Sequence, residues 1–179
     1  MNAALPVVPS RPTVRVVHPS GGFTPGRRRR LRAGVERLER AGCRVRWDDG
    51  ISAQAQYRGY LSGSDRQRRQ ELVAAFTEPG VDVVWAARGG SGAARIARAV
   101  TDALDAAPPR LLVGFSDVTT YHAALNQRLG WPSVHGPVVT SLANRDPRQD
   151  AVADVDAVLA VLTGDRTALS FEPQPGPAR

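Results

Sequence analysis

Leu111-Leu112-Val113-Gly114-Phe115-Ser116-Asp117-Val118-Thr119-Thr120 is the stretch whose reading decides the fold. A short apolar run bounded by Pro109 and Gly114 predicts a buried strand, and the helix-compatible residues from Tyr121 to Leu129 predict a helix directly after it. Ser116 then stands on the turn between the two. Two readings of that serine follow. It caps the helix, as serines at this position commonly do, or it is a strand-turn-helix nucleophile at the carboxyl end of a central strand, beside the free amides of a helix N-terminus.

Working outward, the same strand-then-helix unit recurs. Val14 to Val17 predicts a first strand, ended by His18-Pro19-Ser20-Gly21-Gly22, where Pro19 cannot continue the ladder. Arg27 to Arg40 carries Leu31, Val35 and Leu38 at helical spacing, and Cys43 to Trp47 alternates as a second strand. Asp48 to Gly63 is a polar loop holding Tyr57 and Tyr60. Ser64-Asp65 opens a helix with Leu72, Val73 and Phe76 as its buried stripe. A third strand, Val81 to Ala87, runs into Arg88-Gly89-Gly90-Ser91-Gly92, followed by a helix from Ala93 to Leu104. After the decisive stretch come a short fifth strand within Trp131 to Pro137 and a last helix from about Arg148 to Leu162. Strand and helix alternating throughout predict an α/β fold, a mostly parallel sheet with helices on both faces. Ligand sites in such sheets lie at the carboxyl ends of the strands. The Arg88 to Gly92 loop, Ser116 and His135 all fall on that edge.

Composition bounds the rest. The chain has 179 residues, with 42% hydrophobic and 23% charged residues, enough for one domain with a core and not for two. The formal charge of +7 raises the question of nucleic acid, but all 24 basic residues are Arg. That bias, with abundant Ala, Gly and Pro, reads as a coding preference, and the Arg27 to Arg30 run has no interleaved aromatics for base stacking. A nucleic-acid partner is therefore not expected. A single cysteine, Cys43, excludes an internal disulfide and fits a reducing compartment as a small buried hydrophobe. No stretch reaches the roughly 20 apolar residues of a membrane span, and a cytoplasmic location with no membrane partner is expected. The glycine cluster after the third strand departs from a dinucleotide fingerprint, with Arg95 where the third glycine belongs, and no G-K-[ST] phosphate loop occurs. Neither a cofactor nor a metal is expected.

Residues 1–13 read as a flexible leader and 14–165 as the α/β domain. From Thr167 one strand-forming run, Ala168 to Phe171, precedes a tail rich in Pro and Gly. Residues 166–179 therefore read as a linker toward a further domain that this sequence does not contain.

Five segments in order resemble the LD-carboxypeptidases, the murein tetrapeptide carboxypeptidases whose relatives include the microcin self-immunity hydrolases. They are Tyr60 to Asp65, Ala75-Phe76 ahead of Val81 to Trp85, Ala87-Arg88-Gly89-Gly90, Gly114 to Thr119, and His135-Gly136-Pro137. The resemblance runs from about Val14 to Leu162 and implies a flavodoxin-like N-terminal domain. It implies a serine carboxypeptidase that hydrolyses the amide before a terminal D-amino acid of a muropeptide, in peptidoglycan recycling. By the same resemblance Ser116 is the nucleophile and the backbone amides of Asp117 and Gly90 form the oxyanion hole. Arg88, Gly89, Ser91 and His135 are the substrate-binding candidates. The partner implied is a small peptide, with a homodimer when full length. Two departures stand out: Ser91 replaces the aromatic usual after the two glycines, and the family's histidine base and orienting glutamate come from a second domain. Among the histidines present, His135 is better placed as a substitute base than His122, and His18 has no evident partner. The alternatives are a binding module of the same fold that cannot turn over and a microcin-immunity-like amide hydrolase.

Overall fold

The computed structural model describes residue 6 and residues 8–48, 60–143 and 155–165. Five strands form one all-parallel sheet: β1 (Thr13–Val17), β2 (Arg44–Arg46), β3 (Val83–Ala86), β4 (Leu111–Gly114) and β5 (Val134–His135), in the order β2-β1-β3-β4-β5. The helices are α1 (Pro25–Arg40), α2 (Asp65–Thr77), α3 (Ala97–Ala103), α4 (Thr119–Leu129) and α5 (Val155–Thr163). The leader apart from residues 6 and 8–13, Tyr57, the start of the last helix at Arg148 and the tail from Arg166 lie outside the described residues.

The register explains why the strands read as unbroken apolar runs. Val83 pairs with Leu111, Val84 with Leu112 and Trp85 with Val113, and successive side chains point to opposite faces. Leu111, Val113, Val83, Trp85, Val14 and Val16 pack with Leu31, Val35 and Leu38 of α1 and with Val155, Val158 and Leu162 of α5. Leu112, Val84, Ala86 and Val17 pack on the other face with Leu72 and Phe76 of α2, Val100 of α3, and Tyr121 and Leu125 of α4. Both faces are covered, which a parallel sheet requires.

Local chemistry sets the helix ends. Thr24 caps α1, accepting from the Arg27 amide, with Pro25 in the first turn. At α2 the Ser64 side chain accepts from the Gln67 amide, while the Gln67 side chain accepts from the Ser64 amide, so each closes the other's orphan donor. Gly130, left-handed at φ 68°, ends α4.

Three expectations are corrected. The helix from Ala93 to Leu104 is two pieces, a 3₁₀ turn at Ala93–Arg95 and then α3, broken at Ile96 with φ −126°. The residues after β4 likewise begin as a 3₁₀ turn, Ser116–Val118, before α4. In α2 it is Leu72, Ala75 and Phe76 that are buried, joined by Arg68, while Val73 is only half-buried. Cys43 is buried as expected, and burial pushes its thiol up to about 11.

Candidate active site at the carboxyl edge of the sheet

The three loops leaving β1, β3 and β4 meet at one edge of the sheet. Gly21 donates its amide to the Gly89 carbonyl at 3.2 Å, joining the β1 exit to the β3 exit. The side chain of Asp117 accepts the Ala93 amide at 3.0 Å, joining the β4 exit to the turn after β3. Tyr121 of α4 donates its hydroxyl to the Pro19 carbonyl at 3.1 Å, closing the ring of contacts.

Ser116 is exposed on this edge, with φ 66°, the one non-glycine residue among those described with positive φ. Such a conformation is sterically costly for a residue bearing a Cβ and persists only where the surroundings hold it. The capping reading is not met: neither the 3₁₀ turn nor α4 has a side-chain cap bond, and the residues preceding them are Phe115 and Val118. Its hydroxyl therefore does not serve the helix.

The Arg88-Gly89-Gly90 loop lies directly against it. A Cβ placed on Gly89 would come within 2.8 Å of the Ser116 Cβ and 3.1 Å of its Oγ, so only hydrogen fits there. Gly90 has φ 134°, and a Cβ on it would come within 2.8 Å of the Gly21 Cα. Gly89 and Gly90 thus let three backbones converge without side chains between them. The neighbouring amides of Gly90 and Asp117 are placed on the same edge as Ser116. Whether a residue accepts charge there is a matter of chemistry, and backbone amides at such junctions are the donors that acyl transfer uses.

The histidines divide by environment. His122 donates Nε2–H to the Gly114 carbonyl at 2.8 Å, since a carbonyl can only accept. This fixes its tautomer, and its Nδ1 is buried with no hydrogen-bond partner among the described residues. Burial holds its pKa below the usual imidazole value, against the raising effect of the Gly114 carbonyl. His135 is exposed beside it, with the two rings 5.9 Å apart, and its own ring lies 6.4 Å from Phe115. Backbone pairing of Gly114 with His135 brings it to the Ser116 edge, as expected.

His18 does have a partner. Its Nδ1 donates to Glu71 at 2.8 Å and its amide donates to the other oxygen of the same carboxylate at 3.1 Å. The pair is sealed beneath the site, with the His18 side chain fully buried. Ser62 donates its hydroxyl to the His18 carbonyl at 2.5 Å. Arg68 is also buried here, donating to the Pro19 carbonyl at 2.7 Å, the Gly92 carbonyl at 3.1 Å and Asp65 at 2.6 Å. Sequence reasoning missed both: His18 and Glu71 are 53 residues apart, and an arginine on a polar helix reads as exposed.

A cavity of about 240 Å³ opens beside the site. Its walls are the Gly21-Gly22 turn, Tyr60 and Arg27 on one side, and Arg88 with Gly90 and Ser91 on the other. Arg88 donates to the Gly22 carbonyl at 2.5 Å, which fixes its guanidinium across the cavity wall. A larger, open hollow of about 550 Å³ runs along the first turns of α1 and shares only Arg27 with this one, so it does not border Ser116. No cluster of metal-ligating side chains occurs among the described residues, and no helix among them is long and apolar enough to cross a membrane.

Comparison with known proteins places this arrangement. Over 136 residues the chain is 39% identical to a putative carboxypeptidase of Streptomyces coelicolor, covering 72% of this chain and 41% of that protein. Over 141 residues it is 37% identical to a murein tetrapeptide carboxypeptidase of Pseudomonas aeruginosa, covering 75% and 44%. The chain thus spans less than half the length of these curated relatives. Among solved structures, the microcin C7 self immunity protein MccF superimposes with a TM-score of 0.78 over 90% of this chain and 47% of that one, at 22% identity. An MccF-like protein from Bacillus anthracis gives 0.74, at 24% identity over 90% of this chain and 47% of that one. At such identities these two show a shared fold. Residues 14–136, well over half of the chain, match the LD-carboxypeptidase N-terminal domain, and the chain belongs to the LD-carboxypeptidase family.

Proposed function

We propose that the protein is a serine-type LD-carboxypeptidase acting on muropeptide-like substrates in the cytoplasm. Ser116 Oγ attacks the carbonyl carbon of the amide that precedes a terminal D-amino acid. Its proton passes to a base and then to the departing nitrogen, the C–N bond breaks, and water releases the acyl group from Ser116. The amides of Gly90 and Asp117 hold the oxyanion, and Arg88, Gly89, Ser91 and His135 border the substrate. The observation that carries this reading is the positive φ of Ser116 with Gly89 packed against it, which exposes a hydroxyl relieved of any capping duty.

A serine hydroxyl needs a base. No histidine among the described residues is hydrogen-bonded to Ser116. The Nε2 of His122 is spent on Gly114, and His18 is committed to Glu71. The resemblance to the family supplies the base and its orienting acid from a second domain, and we take them to lie outside residues 14–165, with 166–179 as the linker toward them. The second reading, a binding module of this fold without turnover, is favoured by the absence of a base hydrogen-bonded to Ser116 among the described residues.

One comparison tests both. Ser116→Ala in the protein is expected to lower hydrolysis of a D-alanine-terminated muropeptide by at least about a thousandfold, measured as released D-alanine. Retention of wild-type hydrolysis by that variant overturns the nucleophile assignment. Absence of hydrolysis in wild type, with the same peptide still bound, selects the binding module.

A further inference from the structure

The turn that carries Ser116 is closed across its mouth. It runs from Gly114, the last residue of β4, to Thr119, the first of α4. From α4, His122 reaches back over the turn and donates Nε2–H to the Gly114 carbonyl, eight residues away in sequence and 2.8 Å in space. Val118 presses on the same residue, since a Cβ on Gly114 would come within 2.8 Å of the Val118 Cγ1. On the far side of the serine, the Asp117 carboxylate accepts the Ala93 amide at 3.0 Å. Only Phe115 and Ser116 therefore lie between two anchored points, and the positive φ of 66° falls on the second of them. A backbone in that region persists when its surroundings over-determine it.

His122 is a costly residue for this position if packing is its only task. Its Nδ1 is buried with no hydrogen-bond partner among the described residues, and a buried polar atom left unpaired is destabilising. An aliphatic side chain would fill the same space without that orphan. Nor does the Gly114 carbonyl need the imidazole, because it already accepts the Gly136 amide at 3.1 Å. The second bond uses its remaining lone pair. What the ring adds is a rigid link between the end of the strand and the helix that follows it. Burial keeps the ring neutral, with its one proton on the nitrogen that makes the link.

We propose that His122 is a positioning residue: by pinning the Gly114 carbonyl to α4 it holds the turn in the left-handed conformation that presents the Ser116 hydroxyl. The proposal rests on the hydrolase reading for its effect on rate, while its effect on the backbone stands without it. His122 acts through Gly114 and exchanges no proton with the substrate.

Two substitutions separate the link from the packing. His122→Leu removes the donor and the orphan together, whereas His122→Gln keeps an N–H at about the reach of Nε2. With a D-alanine-terminated muropeptide, His122→Leu is expected to lower kcat by at least about tenfold and to leave KM within about twofold. Its melting temperature should be unchanged or raised, and His122→Gln should return kcat to within about threefold of wild type. A packing role moves these readouts the other way, with a fall in melting temperature and no recovery in the glutamine variant. An undiminished kcat in His122→Leu, or a loss that His122→Gln does not recover, overturns the proposal. The backbone is read separately from turnover, by NMR scalar couplings and carbon shifts of Ser116. Wild type and His122→Gln should report a left-handed Ser116, and His122→Leu a different conformation. A Ser116 that stays left-handed in His122→Leu overturns the proposal whether or not the protein hydrolyses the peptide. A backbone that relaxes in His122→Leu, in a protein whose wild type shows no turnover, keeps the positioning role and removes the hydrolase reading.

Discussion

At the residue scale the site depends on what is absent from position 89. Any side chain there enters the space of the Ser116 Cβ and Oγ. Gly89→Ala is therefore expected to displace the serine by a fraction of an ångström or more. Misplacement on that scale costs on the order of a hundredfold in rate. The fold should tolerate the change better than the chemistry does, because the loop is at the sheet edge and outside both apolar clusters. Steady-state kinetics beside a thermal melt checks this. A fall in kcat/KM matched by a collapse in melting temperature would reduce the effect to unfolding. An unchanged kcat/KM would mean that the close approach of Gly89 has no bearing on Ser116.

At the scale of elements, α2 is tied to the site by charges that its sequence hides. Asp65, in the first turn, accepts from Arg95 through both of its oxygens, at 2.6 to 3.0 Å, and from the buried Arg68 at 2.6 Å. The Arg95 hydrogen bonds, more than any other cause, lower the Asp65 pKa to about 2. Because the folded value lies below that of the unfolded chain, the carboxylate contributes stability above about pH 4 and loses it as pH falls toward 2. Asp65→Asn should thus cost about 1 kcal/mol at pH 7, the upper end for an ion pair open to solvent. The difference from wild type should vanish near pH 2, as read from urea unfolding at a series of pH values. A cost that is constant with pH would rule out the ion pair as its source. The strands of the site were legible because buried parallel strands are apolar on both faces, as Leu111 to Val113 are. The turn at Ser116 was legible as a place, while its left-handed backbone was not, since serine carries no signal for positive φ. Arg68 and the His18-Glu71 pair were illegible for a different reason. Burial of a charge is decided by partners remote in sequence, here the carbonyls of Pro19 and Gly92 and a carboxylate 53 residues away.

Across the whole molecule, one sheet supports two apolar clusters, and neither can persist if the sheet dissolves. Trp85 is fully buried in one cluster and donates its indole N–H to the Pro137 carbonyl at 2.6 Å. Trp131 is buried in the other, edge-on to Phe76 with ring centroids 5.7 Å apart. The two indoles report separately on the two faces. Variants in which Trp47 and one of these two are replaced by Phe should unfold in urea with midpoints agreeing to within about 0.3 M once each variant's stability is matched by circular dichroism. Distinct fluorescence and circular-dichroism midpoints within one variant would show that the faces melt independently. The parallel sheet with both faces covered followed from the alternation of strand and helix, whereas its order β2-β1-β3-β4-β5 is set by pairings remote in sequence. The breaks at Ile96 and at Ser116–Val118 did not, because a 3₁₀ turn and the first turn of an α-helix share the same composition.

The left-handed backbone at Ser116 also settles a choice between two alcohols. Threonine offers the same hydroxyl, but its second branch at Cβ makes a positive φ a genuine outlier, whereas an unbranched side chain is merely disfavoured. The loop therefore discriminates between residues of equal chemical competence by shape alone, and admits the primary alcohol while excluding the secondary one.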